Sequence, residues 1–233
     1  MIEWILLVFL SFLPPLIYMV WIRNTEKYYR EGWKPIVLCF LWGASIAIIA
    51  AVILEILLGI PLAISIHDSN MVSLLTVVIV APIAEEFTKP LALRLKTVKK
   101  ELDELEDGLI YGAVAGLGFS ATENLIYGWS FLSEGLLIFF ILIIMRSVGG
   151  CLLHASATAW TGYGYGKTIM KHASVLRVVP YFILAIFIHG FYNFLVSFDM
   201  RGVATGLFAA FIFVAITIIL VRKKIRTLDE RTC

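Results

Sequence analysis

Charge is scarce in this chain, and so is the material of a soluble domain. Only 15% of its 233 residues are charged, against 61% hydrophobic, and a mean hydropathy of +0.93 exceeds what a soluble core of this length could bury. Cysteine is also sparse: Cys39, Cys151 and Cys233 are far apart and odd in number. That excludes a disulfide framework or a zinc-type spacing and leaves unpaired thiols. No His-Glu-x-x-His helix, Ser or Cys triad, internal repeat or low-complexity tract is present. A net charge of +2 is too small to suggest nucleic acid as a partner, so only the placement of the basic residues carries information. The opening run from Ile2 to Ile22 lacks a basic leader and a small-residue cleavage site, so it reads as a retained span and not as a signal peptide.

What is present is a series of apolar runs of about 20 residues, the length that crosses a bilayer. There are seven, at 2–22, 35–60, 71–93, 108–129, 135–166, 178–198 and 203–221. The fifth is longer than a bilayer needs and contains Arg146, Gly149 and Gly150, which predicts tilting, a break or extension past the membrane. Basic residues fall in alternate connections. Arg23, Lys27, Arg30 and Lys34 follow the first run, Arg94, Lys96, Lys99 and Lys100 the third, Lys167, Lys171 and Arg177 the fifth, and Arg222, Lys223, Lys224, Arg226 and Arg231 the last. On the other side there is Arg201 alone. The positive-inside rule puts the N-terminus outside and the C-terminus in the cytoplasm. The expectation is an all-α, polytopic transmembrane helical bundle, with residues 1–233 forming a single integral membrane domain in the cell membrane. The segment from Arg94 to Asp107 opens basic and ends acidic, which suits a short interfacial helix or a solvated linker.

The stretch Ala81-Pro82-Ile83-Ala84-Glu85-Glu86-Phe87-Thr88-Lys89-Pro90 puts two acids and an amine inside an apolar run. Such residues are costly in a bilayer and mark a buried interior or a wet cavity. Lys89 is i+4 from Glu85 and i+3 from Glu86, so it can bridge both. Pro82 and Pro90 withhold the hydrogen bonds that the carbonyls of Val78 and Glu86 would accept, so the segment has to be covered by protein or line a cavity. On the fourth run Gly108, Gly112 and Gly116 make a close-packing face. Glu123 lies two turns beyond Gly116 on nearly that face, with Tyr127 one turn further and placed to hydrogen-bond it. His154 stands in a small-residue stretch two turns after Arg146. His189 and Asn193 are an i,i+4 pair in which the amide can fix the imidazole. His67 and His172 fall in loops and have no assigned role.

At about 1.5 Å per residue from each basic end, Glu85 and Glu86 come out roughly 10–12 Å deep, His189 roughly 16 Å, His154 roughly 18 Å and Glu123 roughly 22 Å. Four spans thus bring acids and imidazoles to one slab. These groups suit the addition of water to a carbonyl, with a glutamate as general base and His or Asn at the oxyanion. Alternatively His154, His189 and a glutamate could hold Zn²⁺ and activate the water through it. A non-catalytic scaffold or partner-binding subunit with the same polar cavity is the competing reading, and an ion-coupled carrier a third, against which the lack of a repeat counts.

On Glu85-Glu86-x-x-Lys89, Phe119-x-x-x-Glu123 with Tyr127, the isolated His154 and His189-x-x-x-Asn193, the sequence resembles the PrsW family of intramembrane proteases, relatives of the prenyl-protein (CAAX) endopeptidases. The resemblance runs from about residue 80 to 195, with Pro14-Pro15 also looking familial. It implies a multi-pass peptidase cleaving a membrane-anchored protein in the lipid bilayer, of the anti-sigma-factor kind. Glu85 and Glu86 would activate water, and Glu123, His154, His189 and Asn193 would complete the site. Lys89, Tyr127 and Arg146 would support it, with or without Zn²⁺ on His154, His189, Glu85 and Glu123. The CAAX branch carries histidine where this chain has Glu123, which disfavours prenyl-protein processing.

Overall fold

A computed structural model describes residues 2–197 and 203–232; Arg201 and Cys233 lie outside them. The described residues form seven long helices: α1 Ile2–Arg23, α2 Trp33–Ser65, α3 Ser69–Arg94, α4 Leu105–Leu132, α5 Leu136–Met170, α6 Val175–Ser197 and α7 Val203–Thr232. All seven are long and apolar enough to cross a membrane, as the spacing of apolar runs predicts. Arg94 to Asp107 does include a short helix, Lys96–Lys100. Two helices outrun their predicted ends at the basic end of the bundle: α5 reaches Met170, and α7 continues through its basic stretch to Thr232.

The column of the bundle is α4, whose residues 106–121 are all buried. Its glycines make that possible. A Cβ on Gly108 would stand 2.6 Å from the Gly162 carbonyl oxygen, one on Gly112 2.5 Å from that of Thr158, and one on Gly116 2.2 Å from that of His154. The α4–α5 backbones therefore touch along the predicted face, and Gly116 sets the height of His154. A Gly116→Val change has to push α5 away at the level of His154. It should lower stability by about 1–3 kcal/mol, read as a drop in melting temperature.

Three helices carry a single wide turn: Gly43–Ala47 in α2, Thr76–Val80 in α3 and Arg146–Gly150 in α5. Such turns gather at functional sites. The one in α3 has a direct cause, because Pro82 has no N–H for the Val78 carbonyl. The Ala81 N–H reaches back to Thr76, and Gly190 of α6 closes over the Val78 oxygen, where a Cβ would sit at 2.4 Å. Around Pro90 the helix tightens into a 3₁₀ run, Lys89–Arg94. Trp42 covers the kink by donating its indole N–H to the Thr88 carbonyl at 3.1 Å. The freed Val78 carbonyl is thus shielded by a neighbouring helix.

The basic end is closed by a polar cap that local sequence does not announce. Glu26, Glu31, Glu106, Asp107 and Asp229 are buried there. The two carboxylate oxygens of Asp229 accept the N–H groups of Lys27 and Tyr28 at 2.8 and 3.3 Å, which pins α7 to the α1–α2 connection. Burial pushes the Glu26 carboxyl up to about 8. The Glu31 N–H that it accepts works the other way, and the charges of Glu31, Asp229 and Glu106 add to the rise. Cys39 and Cys151 are buried free thiols.

Candidate active site

Lys89 is the centre of the site and is fully buried. Its ammonium donates to Glu85 Oε2 at 2.7 Å, to Glu86 Oε1 at 2.9 Å and to His154 Nδ1 at 2.7 Å, so all three protons are used. Both bridges predicted from the i+3 and i+4 spacing are made. Phe119 of α4 lies beneath the ammonium, 4.4 Å from it to the ring centroid.

The two acids differ in what remains to them. Glu86 is fully buried. Its Oε1 also pairs with His189 Nδ1 at 2.9 Å, and its Oε2 accepts the Thr158 hydroxyl at 2.8 Å. Glu85 spends only Oε2 on Lys89 and lines a cavity of about 800 Å³. Both oxygens of Glu86 are thus committed, whereas Glu85 keeps a free oxygen beside open space.

These contacts fix the imidazoles. His154 Nδ1 accepts from Lys89, so its Nε2 carries the proton and donates to Glu123 Oε2 at 2.7 Å. His189 gives Nδ1 to Glu86 and leaves Nε2 3.8 Å from Glu85 Oε2. The two rings meet edge to face at 5.0 Å. The same Glu123 oxygen accepts from Arg146 Nη2 at 2.9 Å, and Arg146 Nε donates to Asn124 Oδ1 at 3.0 Å. A chain of polar contacts therefore runs from His189 through Glu86, Lys89, His154 and Glu123 to Arg146, joining α3, α4, α5 and α6.

Two expected partnerships are not made. Asn193 does not hold His189; its amide donates to the Val77 carbonyl at 2.9 Å, and the imidazole takes the charged Glu86 instead. Tyr127 does not hydrogen-bond Glu123; its ring lies 4.0 Å from the Arg146 guanidinium. Asn193, Tyr127 and Arg146 do all line the cavity. Two contributors were not expected. Thr158, one turn after His154, holds Glu86. Glu55 of α2 faces the cavity, and the signal for it was present as a lone acid in an otherwise apolar run. The cavity reaches past Phe131, Ile138, Val196 and Ser197. It thus extends toward the end of the bundle opposite the basic connections.

Glu85, Glu86, His154 and His189 each offer a ligand atom within 4.8 Å of the others. Imidazole nitrogens with carboxylate oxygens suit Zn²⁺ by type. Glu86 and not Glu123 completes this group; Glu123 acts on it through His154, the usual arrangement behind a ligating imidazole. The Lys89 ammonium and a metal ion would compete for the same atoms.

A family model described as PrsW family intramembrane metalloprotease matches residues 31–221. The curated protein "Protease PrsW" of Clostridioides difficile (strain 630) is 29% identical over 196 residues, covering 82% of this chain and 79% of that relative. No solved structure matches. With seven membrane-length helices converging on the Glu85-Glu86-x-x-Lys89 cluster, and the family model spanning most of its length, the chain belongs to the PrsW family of intramembrane proteases.

Proposed function

We propose that this protein is a multi-pass endopeptidase of the cell membrane that hydrolyses a membrane-anchored protein, of the anti-sigma-factor kind by resemblance, with Glu85 as general base. The basic connections face the cytoplasm in this reading. The observation that carries the assignment is the asymmetry of the two acids: Glu86 has both oxygens bonded, and Glu85 alone keeps one free at the cavity.

The extended substrate strand lies in the cavity with its scissile carbonyl near Glu85. Glu85 takes a proton from the attacking water and passes it to the leaving amine as the peptide bond breaks. Lys89 holds Glu85 aimed, with no proton left to donate elsewhere. The Asn193 amide and the Arg146 guanidinium are donors in the cavity that an oxyanion can take, while His189, whose Nδ1 proton goes to Glu86, presents Nε2 as an acceptor. A Zn²⁺ held by His154, His189, Glu85 and Glu86 would supply an acidified water and would have to displace the Lys89 ammonium from those atoms.

Cleavage of a membrane-tethered reporter in proteoliposomes tests the proposal. The paired Glu85→Gln and Glu86→Gln protein should show no cleavage and should keep its helical circular dichroism. Turnover unchanged in the paired variant would refute the glutamate assignment, and no hydrolysis by the wild type of any tethered substrate would favour a scaffold.

A further inference from the structure

Far from the intramembrane site, the basic end gathers acids from three separate parts of the chain. One oxygen each from Glu26, Glu104 and Asp107 lies within 4.8 Å of the others, and one each from Glu26, Glu106 and Asp229 does the same. Glu26 belongs to both sets. Asp107 is sixteen residues before Glu123 on α4, or roughly 24 Å along the helix axis, so the two clusters do not share atoms.

Carboxylates in proximity are ordinary when arginine or lysine separates them. Here the arginines go elsewhere. Arg23 Nε donates to the backbone carbonyl of Glu31 at 2.7 Å, Arg30 Nε to that of Glu26 at 3.1 Å, and Arg222 Nε to the Thr25 hydroxyl at 3.0 Å. Among the described residues no basic nitrogen comes within 4.0 Å of a carboxylate oxygen of Glu26, Glu104 or Asp107.

Each of those three acids has one oxygen committed to main chain. Glu26 Oε2 accepts the Glu31 N–H at 3.0 Å, and Asp107 Oδ2 accepts those of Asp103 and Glu104 at 2.9 and 2.7 Å. The Glu104 side chain completes the capping box at the start of α4. What remains points inward: Glu26 Oε1, Glu104 Oε2 and Asp107 Oδ1 are buried and accept no N–H or hydroxyl from the described residues, with the Glu31 carboxyl against that of Asp107 and the Glu106 carboxyl against that of Glu104. Glu26 and Asp107 are fully buried residues. Buried carboxylate oxygens without such a donor are rare because each forfeits its hydration for nothing. Three in one place, from residues whose other oxygens are fixed by backbone, describe a set of ligands held ready.

We infer that Glu26, Glu104 and Asp107, flanked by Glu106 and Asp229, form a binding site for a hard divalent cation, Ca²⁺ or Mg²⁺, at the basic end of the bundle. The donors are all oxygens, which selects this class over zinc or copper. A cation there ties the α1–α2 connection, the start of α4 and the end of α7 into one cap, since these three segments supply the ligands. It is a clamp on the helix that carries Glu123, not a participant in hydrolysis.

The test uses the full-length protein in detergent, stripped with EDTA, exchanged into chelator-free buffer and titrated with CaCl₂ or MgCl₂ by calorimetry and thermal unfolding. Saturable binding and a rise in melting temperature of about 5–10 °C at a hundred-fold excess over Kd are expected. Glu26→Gln and Asp107→Asn should each lose that rise, yet melt no lower than the wild type in the stripped state because a repelling charge is gone. The paired Glu85→Gln, Glu86→Gln protein should keep it. No binding of either ion at millimolar concentration would overturn the inference. So would a rise that survives both cap variants, or one that disappears with the intramembrane glutamates, and none of these outcomes bears on whether Glu85 is the protease base.

Discussion

Replacing Glu85 alone by Gln should lower kcat for a membrane-tethered substrate by about 10²–10⁴-fold, the usual contribution of a general base. The melting temperature should stay near that of the wild type. The amide is nearly isosteric and can still accept from Lys89 through its carbonyl oxygen, but has no lone pair basic enough to deprotonate water. Glu86→Gln should behave differently. Glu86 is bonded to Lys89, His189 and Thr158 at once, and an amide can only donate from one of its two ends. With its carbonyl toward Lys89 and His189 the amide has to donate to the Thr158 hydroxyl, which must turn to accept, and the charge that offsets Lys89 is gone, so Glu86→Gln should lose stability as well as rate. The pair of readouts therefore separates the acids: Glu85→Gln moves kcat alone, Glu86→Gln moves kcat and melting temperature together. A Glu86→Gln protein that is stable and dead beside a Glu85→Gln protein that still cleaves would reverse the two roles.

The legible part of this site was whatever the membrane makes expensive. Glu85, Glu86, Lys89, Glu123, His154 and His189 stand out because hydrocarbon tolerates them only in company, and the structure brings all six into contact. The spacing of Gly108, Gly112 and Gly116 fixed which face of α4 meets α5, for only hydrogen fits there. Partner choice was not legible. The i,i+4 rule correctly makes Asn193 a neighbour of His189 and Tyr127 of Glu123, but a helix neighbour loses to a stronger partner from another helix. A carboxylate outbids an amide for imidazole, and Arg146 outbids a phenol for Glu123. The acidic cap was hidden for the opposite reason. Glu26, Glu104 and Asp107 lie in or beside polar connections, where acids are unremarkable, and Glu26 and Asp107 are buried where α7 runs on to meet the α1–α2 connection.

Lys89→Met should be the most destabilising single change in the site. Lys89 is fully buried and offsets two carboxylates, and removing one partner from a buried ionic cluster costs about 3–5 kcal/mol because the remaining charges are stranded. His154 also loses the donor on Nδ1 that fixes its tautomer, so the link to Glu123 loosens as well. The expected result is a fall in melting temperature of about 6–20 °C for a chain of this size, with cleavage abolished. A loss of activity alone would not show that charge is the cause. The variant that does so is Glu85→Gln, Glu86→Gln, Lys89→Met, in which the cluster is neutral: it should regain most of the lost stability and stay inactive, as buried ion clusters replaced whole by neutral groups generally do. If the triple variant melts as low as Lys89→Met, the lysine stem and its seat over Phe119 hold α3 in place by packing, and the electrostatic account of the centre fails.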